Sequence, residues 1–126
     1  MLSVLVPVAR VKGLAELTID IKKFDYLFGR PKSNLHNAAR SNQLALEMKR
    51  LGILDDEKGR EVLSEHFKST SNQPNNILDS FSNNYGEFEV RESILFGPSG
   101  KAVRLESTFE IMSDGTRRFI TTIPRK

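Results

Sequence analysis

The sequence predicts an α+β fold, with N-terminal helices packed on a C-terminal antiparallel β-meander. Apolar residues recur at helical spacing in the first half, at Leu35, Ala38, Ala39, Leu44, Met48 and Leu51 and again at Val62, Leu63 and Phe67. From Glu87 the period changes to two: FEVRESILF, VRLESTFEI and RRFITTI alternate and are separated by the turn sequences GPSG and SDG. The chain of 126 residues is one domain by length, and its 37 Leu, Ile, Val and Phe residues lie well above the roughly 20% below which charged chains stay disordered.

Met1 to Val11 (MLSVLVPVARV) is apolar, but its basic residues follow the apolar run, Pro7 interrupts it, and it is far short of the roughly 20 residues of a membrane span. Residues 1–23 are expected to form an N-terminal arm or strand, and residues 24–126 a single domain. Within the first part, Leu17, Ile19 and Ile21 alternate with Thr18, Asp20 and Lys22, which favours a strand over Leu14–Ile21, with helix competing for its first half. Phe24–Asn34 reads as turn-rich, with Gly29 and with Arg30 held out of the helical region by Pro31. Ser33 or Asn34 then caps a helix over Leu35–Leu51, stopped by Gly52. Asp55 or Asp56 caps a second helix, Glu57–Lys68, whose first turn carries Glu57. Ser69–Asn76 lacks any apolar residue and is expected to be a loop, with a short helical turn over Ile77–Phe81 beyond it.

On the meander, Phe88, Val90, Ile94, Phe96, Val103, Leu105, Phe109, Ile111, Phe119 and Ile123 are expected to face the helices, an alternation broken only by Glu92. The opposite face is then expected to display Glu89, Arg91, Ser93, Arg104, Glu106, Thr108, Glu110, Arg118 and Thr122, a set rich in groups that bind an anion or move a proton.

The absence of cysteine excludes disulfides and a thiolate nucleophile, and two histidines leave little for a zinc site, so no metal or other cofactor is expected. Nineteen Lys and Arg against sixteen Asp and Glu give a net charge of +3, which permits an anionic partner without requiring one. His36 opens the first helix with Arg40 four residues on, on the same helical face. An imidazole can take the proton of a ribose 2′-hydroxyl, and a guanidinium can hold the phosphate bidentately. A capping or surface histidine accounts for His36 equally well. His66, beside Phe67 on the apolar side of the second helix, reads as a packed, hydrogen-bonded histidine.

GPSGK lacks both the spacing and the strand-to-helix setting of a Walker loop. It reads as a hairpin turn from which Ser99 and Lys101 still reach an external phosphate. On the strands, Arg91 and Arg104 suit a phosphate, while Glu106 and Thr108, with Thr121 or Thr122 on the neighbouring strand, suit the sugar. The alternative is a solvated face of cross-strand Arg–Glu pairs, each worth less than about 1 kcal/mol.

The stretches YLFGRPKSNLHNAARSNQLALEMKRLGI, GREVLSEHF and YGEFEVRESILFGPSGKAVRLESTFEIMSDGTRRFITTIP resemble the small C-terminal toxin domains of bacterial polymorphic toxins, including contact-dependent growth inhibition proteins. The resemblance covers about Phe24–Pro124 and rests on His36, Asn37, Arg40 and Ser41, on Arg91 and Glu92, on Ser99, Gly100 and Lys101, and on Thr121 or Thr122. It implies a secreted or surface-delivered domain that acts in the cytoplasm of a competing bacterium and is neutralised by an immunity protein, expected to be acidic. It also implies a metal-independent endoribonuclease of the barnase, EndoU, colicin and RelE kind, cutting tRNA or rRNA to leave a 2′,3′-cyclic phosphate. In that chemistry His36 serves as general base or acid, and Glu106 as the complementary proton carrier or as the group that orients His36. Arg40, Arg91 and Lys101 contact phosphate with Arg104 and Ser99, and Thr108 and Thr121 are hydrogen-bond partners. A non-catalytic protein-binding domain and a toxin with other nuclease chemistry are the competing readings.

Overall fold

The computed structural model describes residues 16–29 and 35–125, with only the backbone for residues 35–37. In chain order it runs β1 (Leu17–Thr18), α1 (Lys22–Leu27), α2 (Leu35–Leu51), α3 (Glu57–Ser71), β2 (Ile77–Asn83), β3 (Gly86–Phe96), β4 (Ala102–Ile111) and β5 (Arg117–Arg125). The α+β class and the order of helices before meander are as the periodicities require. The sheet, however, has five strands in the order β1-β5-β4-β3-β2, antiparallel except for the β1–β5 pair.

Three differences from the sequence reading have local causes. Residues 22–27 form a helix where a turn was expected, because the Asp20 carboxylate accepts the Lys22 N–H (2.9 Å) and the turn that follows buries Phe24 and Leu27. Ile77–Phe81 belongs to a strand, not a helical turn, for Asn84 and Tyr85 turn the chain into a hairpin that lays Ser80, Phe81 and Ser82 against Glu89, Phe88 and Glu87. The second helix continues to Ser71, three residues past Lys68. The expected caps Ser33 and Asn34, like residues 1–15, lie outside the described residues.

The helix ends that are described follow the chemistry of their sequences. Asp56 caps α3 by accepting the Gly59 N–H at 2.8 Å. At the end of α2, Gly52 takes φ +81°, its N–H donates to Lys49 O, and the Ile53 N–H donates to Met48 O, the paired bonds of a Schellman motif. Two further carbonyls of that last turn are met by the β3–β4 hairpin: the Ser99 N–H donates to Leu51 O (2.9 Å) and the Ser99 hydroxyl to Arg50 O (2.9 Å). Gly97 is obligatory there, since a Cβ would lie 2.2 Å from Leu51 O.

The helices lie on one side of the sheet. Leu44, Met48, Leu51, Leu63 and Phe67 meet Leu95, Val103, Leu105, Phe109 and Phe119 in a single core. Phe119 is its centre, with ring centroids 4.4 Å from Phe67 and 6.0 Å from Phe109. Phe119→Ala is accordingly expected to cost about 3–5 kcal/mol in urea denaturation, while Tyr85→Ser, at an 86% exposed turn position, changes the unfolding free energy by less than about 0.5 kcal/mol.

Candidate functional site

Strand pairing divides the polar residues of the meander between two faces, and the division differs from the one expected. On β3 the helix-facing set is Glu89, Arg91, Ser93 and Leu95, whereas Phe88, Val90, Ile94 and Phe96 point away from the helices, half-buried or exposed. On β4 the expected parity holds, with Val103, Leu105, Ser107 and Phe109 inward. On β5 a register shift opposite Thr108 and Phe109 places one additional residue between Phe119 and Thr121, so the parity reverses along the strand. Phe119 and Thr122 both face inward in consequence, and Ile123 turns outward with Thr121. The expectation that Glu89, Arg91, Ser93 and Thr122 share the open face is therefore corrected.

The inward polar residues are satisfied by one another. Arg91 donates through Nε to Glu89 Oε1 (2.7 Å) and through Nη1 to Gln73 O and Asn76 Oδ1 (both 2.6 Å). Arg117 donates to the same Glu89 oxygen at 2.9 Å. Burial opposes the Glu89 charge, but the hydrogen bonds and charges of Arg91 and Arg117 outweigh it and hold this carboxyl below its usual range. The Ser107 and Thr122 hydroxyls, both fully buried, pair at 2.8 Å. His66 is a packed histidine, its Nε2 2.9 Å from the Ser93 hydroxyl, and burial lowers its pKa to about 4.

The open face is a polar array on β4 and β5 with apolar residues beside it on β3. Across the strands, Val90, Thr108 and Thr121 form one row, Glu92, Glu106 and Ile123 the next, and Ile94, Arg104 and Arg125 the third. Glu92 stands directly opposite Glu106 and Arg104 opposite Arg125. These like pairs are offset on the diagonal, where Arg104 lies 3.8 Å from Glu92 and Arg125 3.2 Å from Glu106. Further along, Arg118 Nε donates to Glu110 Oε1 at 2.9 Å.

The structure thus brings together Glu106, Thr108, Thr121 and Arg104 from the residues singled out in the sequence. It adds Arg125, and it gives a place in the site to Glu92, which the sequence marks only through the family resemblance and the break it makes in the apolar alternation of β3. It separates Arg91 from them by the thickness of the sheet. Lys101 is exposed at the foot of β4, and the Ser99 hydroxyl is engaged at the end of α2. Arg40 is half-buried in the first turns of α2, whose packing residues Leu44, Met48 and Leu51 contact the inner side of the sheet. The His36 side chain lies outside the described residues. Among the described residues no group of three or more His, Asp or Glu side chains is placed to hold a metal, and no helix is long and apolar enough to cross a membrane.

Helices on one side of an antiparallel sheet, with a mixed charged and hydroxyl array open on the other, define a small α+β domain with a sheet-face site. No protein-family model matches the chain, and no curated protein matches it significantly. Among solved structures it is similar to a chain of a contact-dependent growth inhibition toxin–immunity protein complex from Klebsiella pneumoniae 342, at 57% identity and a TM-score of 0.80, over 86% of this chain and 99% of that one. The chain belongs to this contact-dependent growth inhibition family, as a toxin or immunity domain, and the setting of that system is delivery between bacteria.

Two outcomes follow for stability. Arg91→Ala leaves Glu89 buried with one partner fewer and is expected to cost about 3–5 kcal/mol in denaturant unfolding. Unfolded His66 takes up a proton near pH 6.5, whereas the folded site resists protonation down to about pH 4. Stability is therefore present above pH 6.5 and lost as the pH falls to 4, by on the order of 3 kcal/mol. His66→Gln should flatten that slope in urea midpoints measured across the same window.

Proposed function

We propose that this chain is the toxin of its toxin–immunity pair and a metal-independent endoribonuclease acting through the open face of the sheet. The observation that carries the reading is the 57% identity to a chain of a contact-dependent growth inhibition toxin–immunity complex. Charge supports the toxin side: a net +3 suits a protein that engages a polyanion, and an acidic immunity protein would complement it.

The open face has the parts for cleavage by internal transfer. The ribose 2′-oxygen attacks the adjacent phosphorus while its proton passes to the Glu106 carboxylate, which is half-buried beside Arg125. The P–O5′ bond breaks, the departing 5′-oxygen takes a proton from a second donor, and the products are a 2′,3′-cyclic phosphate and a 5′-hydroxyl. Arg104 and Arg125 offset the charge that builds on the phosphate oxygens, and the facing Thr108 and Thr121 hydroxyls orient the ribose. Arg91 has the positioning part, fastening β3 to residues 73–76. Solvent water is the second donor, while His36 and Arg40, at the start of α2, remain candidates for a site of their own. Because α2 packs on the other side of the sheet, their part is tested separately from that of Glu106.

The test is a gel of total bacterial RNA incubated with folded wild-type protein, Glu106→Gln, Thr108→Val and His36→Ala, with and without EDTA. The expected result is discrete, EDTA-resistant cleavage that falls by about 10²-fold or more in Glu106→Gln. Full activity in Glu106→Gln moves the chemistry off the sheet face, and a loss in His36→Ala alone moves it to the start of α2. Uncut RNA with the wild type overturns the ribonuclease reading.

A further inference from the structure

The face described above does not end at the sheet. Where β4 begins and β5 ends, the surface turns into a cleft of about 330 Å³ between the strands and the second half of α2. Its lining includes three arginines, Arg50, Arg104 and Arg125, against one carboxylate, Glu47. They reach it from three elements. Arg104 and Arg125 are the directly opposed pair on β4 and β5, and Arg50 comes from the last turn of α2.

Two like charges facing each other across a ladder destabilise it, and a third cation from a helix adds to the repulsion. Each of the three arginines is met by a carboxylate. Arg50 donates through Nε and Nη2 to Glu47 Oε1 (3.1 and 2.7 Å) and through Nη2 to Ala102 O (2.7 Å), which fixes its fork at the cleft wall. Arg125 is tied to Glu106 and Arg104 to Glu92. The three side chains nevertheless stay 39%, 44% and 48% exposed, so their N–H groups still reach solvent. Arg125 is the link: it touches Glu106 on the open face and lines the cleft with Arg50.

We infer that this cleft is a phosphodiester-binding subsite of the RNA track, in which Arg50 holds the backbone phosphate next to the scissile one, and Arg104 and Arg125, at the junction with the open face, lie between the two. The inference rests on the ribonuclease reading for its substrate class, and on the cleft itself for the anion. Planar guanidinium forks match phosphate oxygens bidentately, which a cluster of lysines would not do. A phosphate in the cleft is within reach of guanidiniums from three elements and leads the chain onto the Glu106 row.

The test is fluorescence anisotropy with a labelled single-stranded RNA carrying 2′-O-methyl groups, which removes the attacking hydroxyl, titrated at several salt concentrations. Wild type is compared with Arg50→Gln, Arg125→Gln and Arg60→Gln, the last an exposed arginine of α3 paired with Asp55. Circular dichroism establishes that each is folded, and Arg125→Gln, at the end of β5, serves alone if Arg50→Gln does not fold. Each cleft variant is expected to weaken binding about 5–10-fold at low salt and to reduce the slope of log K against log[salt] by about 0.7, while Arg60→Gln matches wild type. Cleft variants that bind within twofold of wild type with an unchanged slope overturn the subsite. So does weaker binding to an acidic partner protein with RNA binding intact, which assigns the cleft to that protein. If wild type cuts no RNA yet its binding depends on Arg50 and Arg125, the ribonuclease reading falls and the subsite stands. If it cuts RNA and the variants bind normally, the subsite falls alone.

Discussion

The buried carboxylate of Glu89 is the constraint around which the sheet is arranged. Only 3% exposed, it is held by guanidiniums from two strands that are not neighbours: Arg91 on its own β3 and Arg117 on β5, across the intervening β4. Arg91 in turn secures Gln73 and Asn76, the residues that deliver the chain from α3 into β2. Asn76 also donates to Thr70 O and Glu92 O. One charge cluster thereby fixes the end of a helix, the entry to an edge strand and the spacing of three sheet strands. The desolvation it suffers is met by hydrogen bonds on all sides, and among the described residues no buried side-chain polar atom lacks a partner.

This cluster also explains what the sequence conceals. Two periodicities and their turn residues are enough for the class of fold, the bounds of α2, a cap at Asp55 or Asp56 and the GPSG hairpin, because each depends on chemistry within a few residues. Side-chain alternation gives the period of β3 but not its sign. Phe88, Val90, Ile94 and Phe96 look like the core face by hydrophobicity, yet the core takes Leu95 from the other parity and fills the rest of that side with Glu89, Arg91 and Ser93. Pairing between Glu89 and Arg117 joins residues 28 apart, and such long-range compensation leaves no local pattern. The β5 reversal at Ile120 is illegible for a related reason: RRFITTI is compatible with either parity, and the extra residue shows only in its pairing with β4.

The candidate site was legible in part for the same reasons. Glu106, Thr108 and Arg104 lie on β4, where alternation and burial agree, and they fall on the open face as their spacing requires. Thr121 joins them only because β5 is irregular, opposite Thr108 in the ladder. Arg91 belongs to the same sequence pattern and goes to the other side. The arginines of the cleft could not be assembled from sequence at all, since Arg50 is brought to Ala102 by the docking of α2, fifty-two residues away along the chain.

The inverted polarity of β3 separates two demands that conflict in a small domain. Stability is concentrated on the inner side, in the Phe67–Phe119–Phe109 core and the Glu89 cluster, where charges are paired and hydroxyls matched. The open face is released from that duty, and it carries arrangements a sheet chosen for stability alone would avoid: Glu92 opposite Glu106, Arg104 opposite Arg125, and exposed Ile94 and Phe96 beside them. Such local frustration is tolerable only because its cost is small against the core, and it is characteristic of surfaces built to meet a partner. The same face is divided along its strands, largely apolar on β3 apart from Glu92 and largely charged or hydroxylic on β4 and β5 apart from Ile123, so that a ligand with an anionic backbone and flat, weakly polar substituents would satisfy both halves at once. A single-stranded nucleic acid has that composition, and neither half of the face by itself would distinguish it from a simple anion or an apolar peptide.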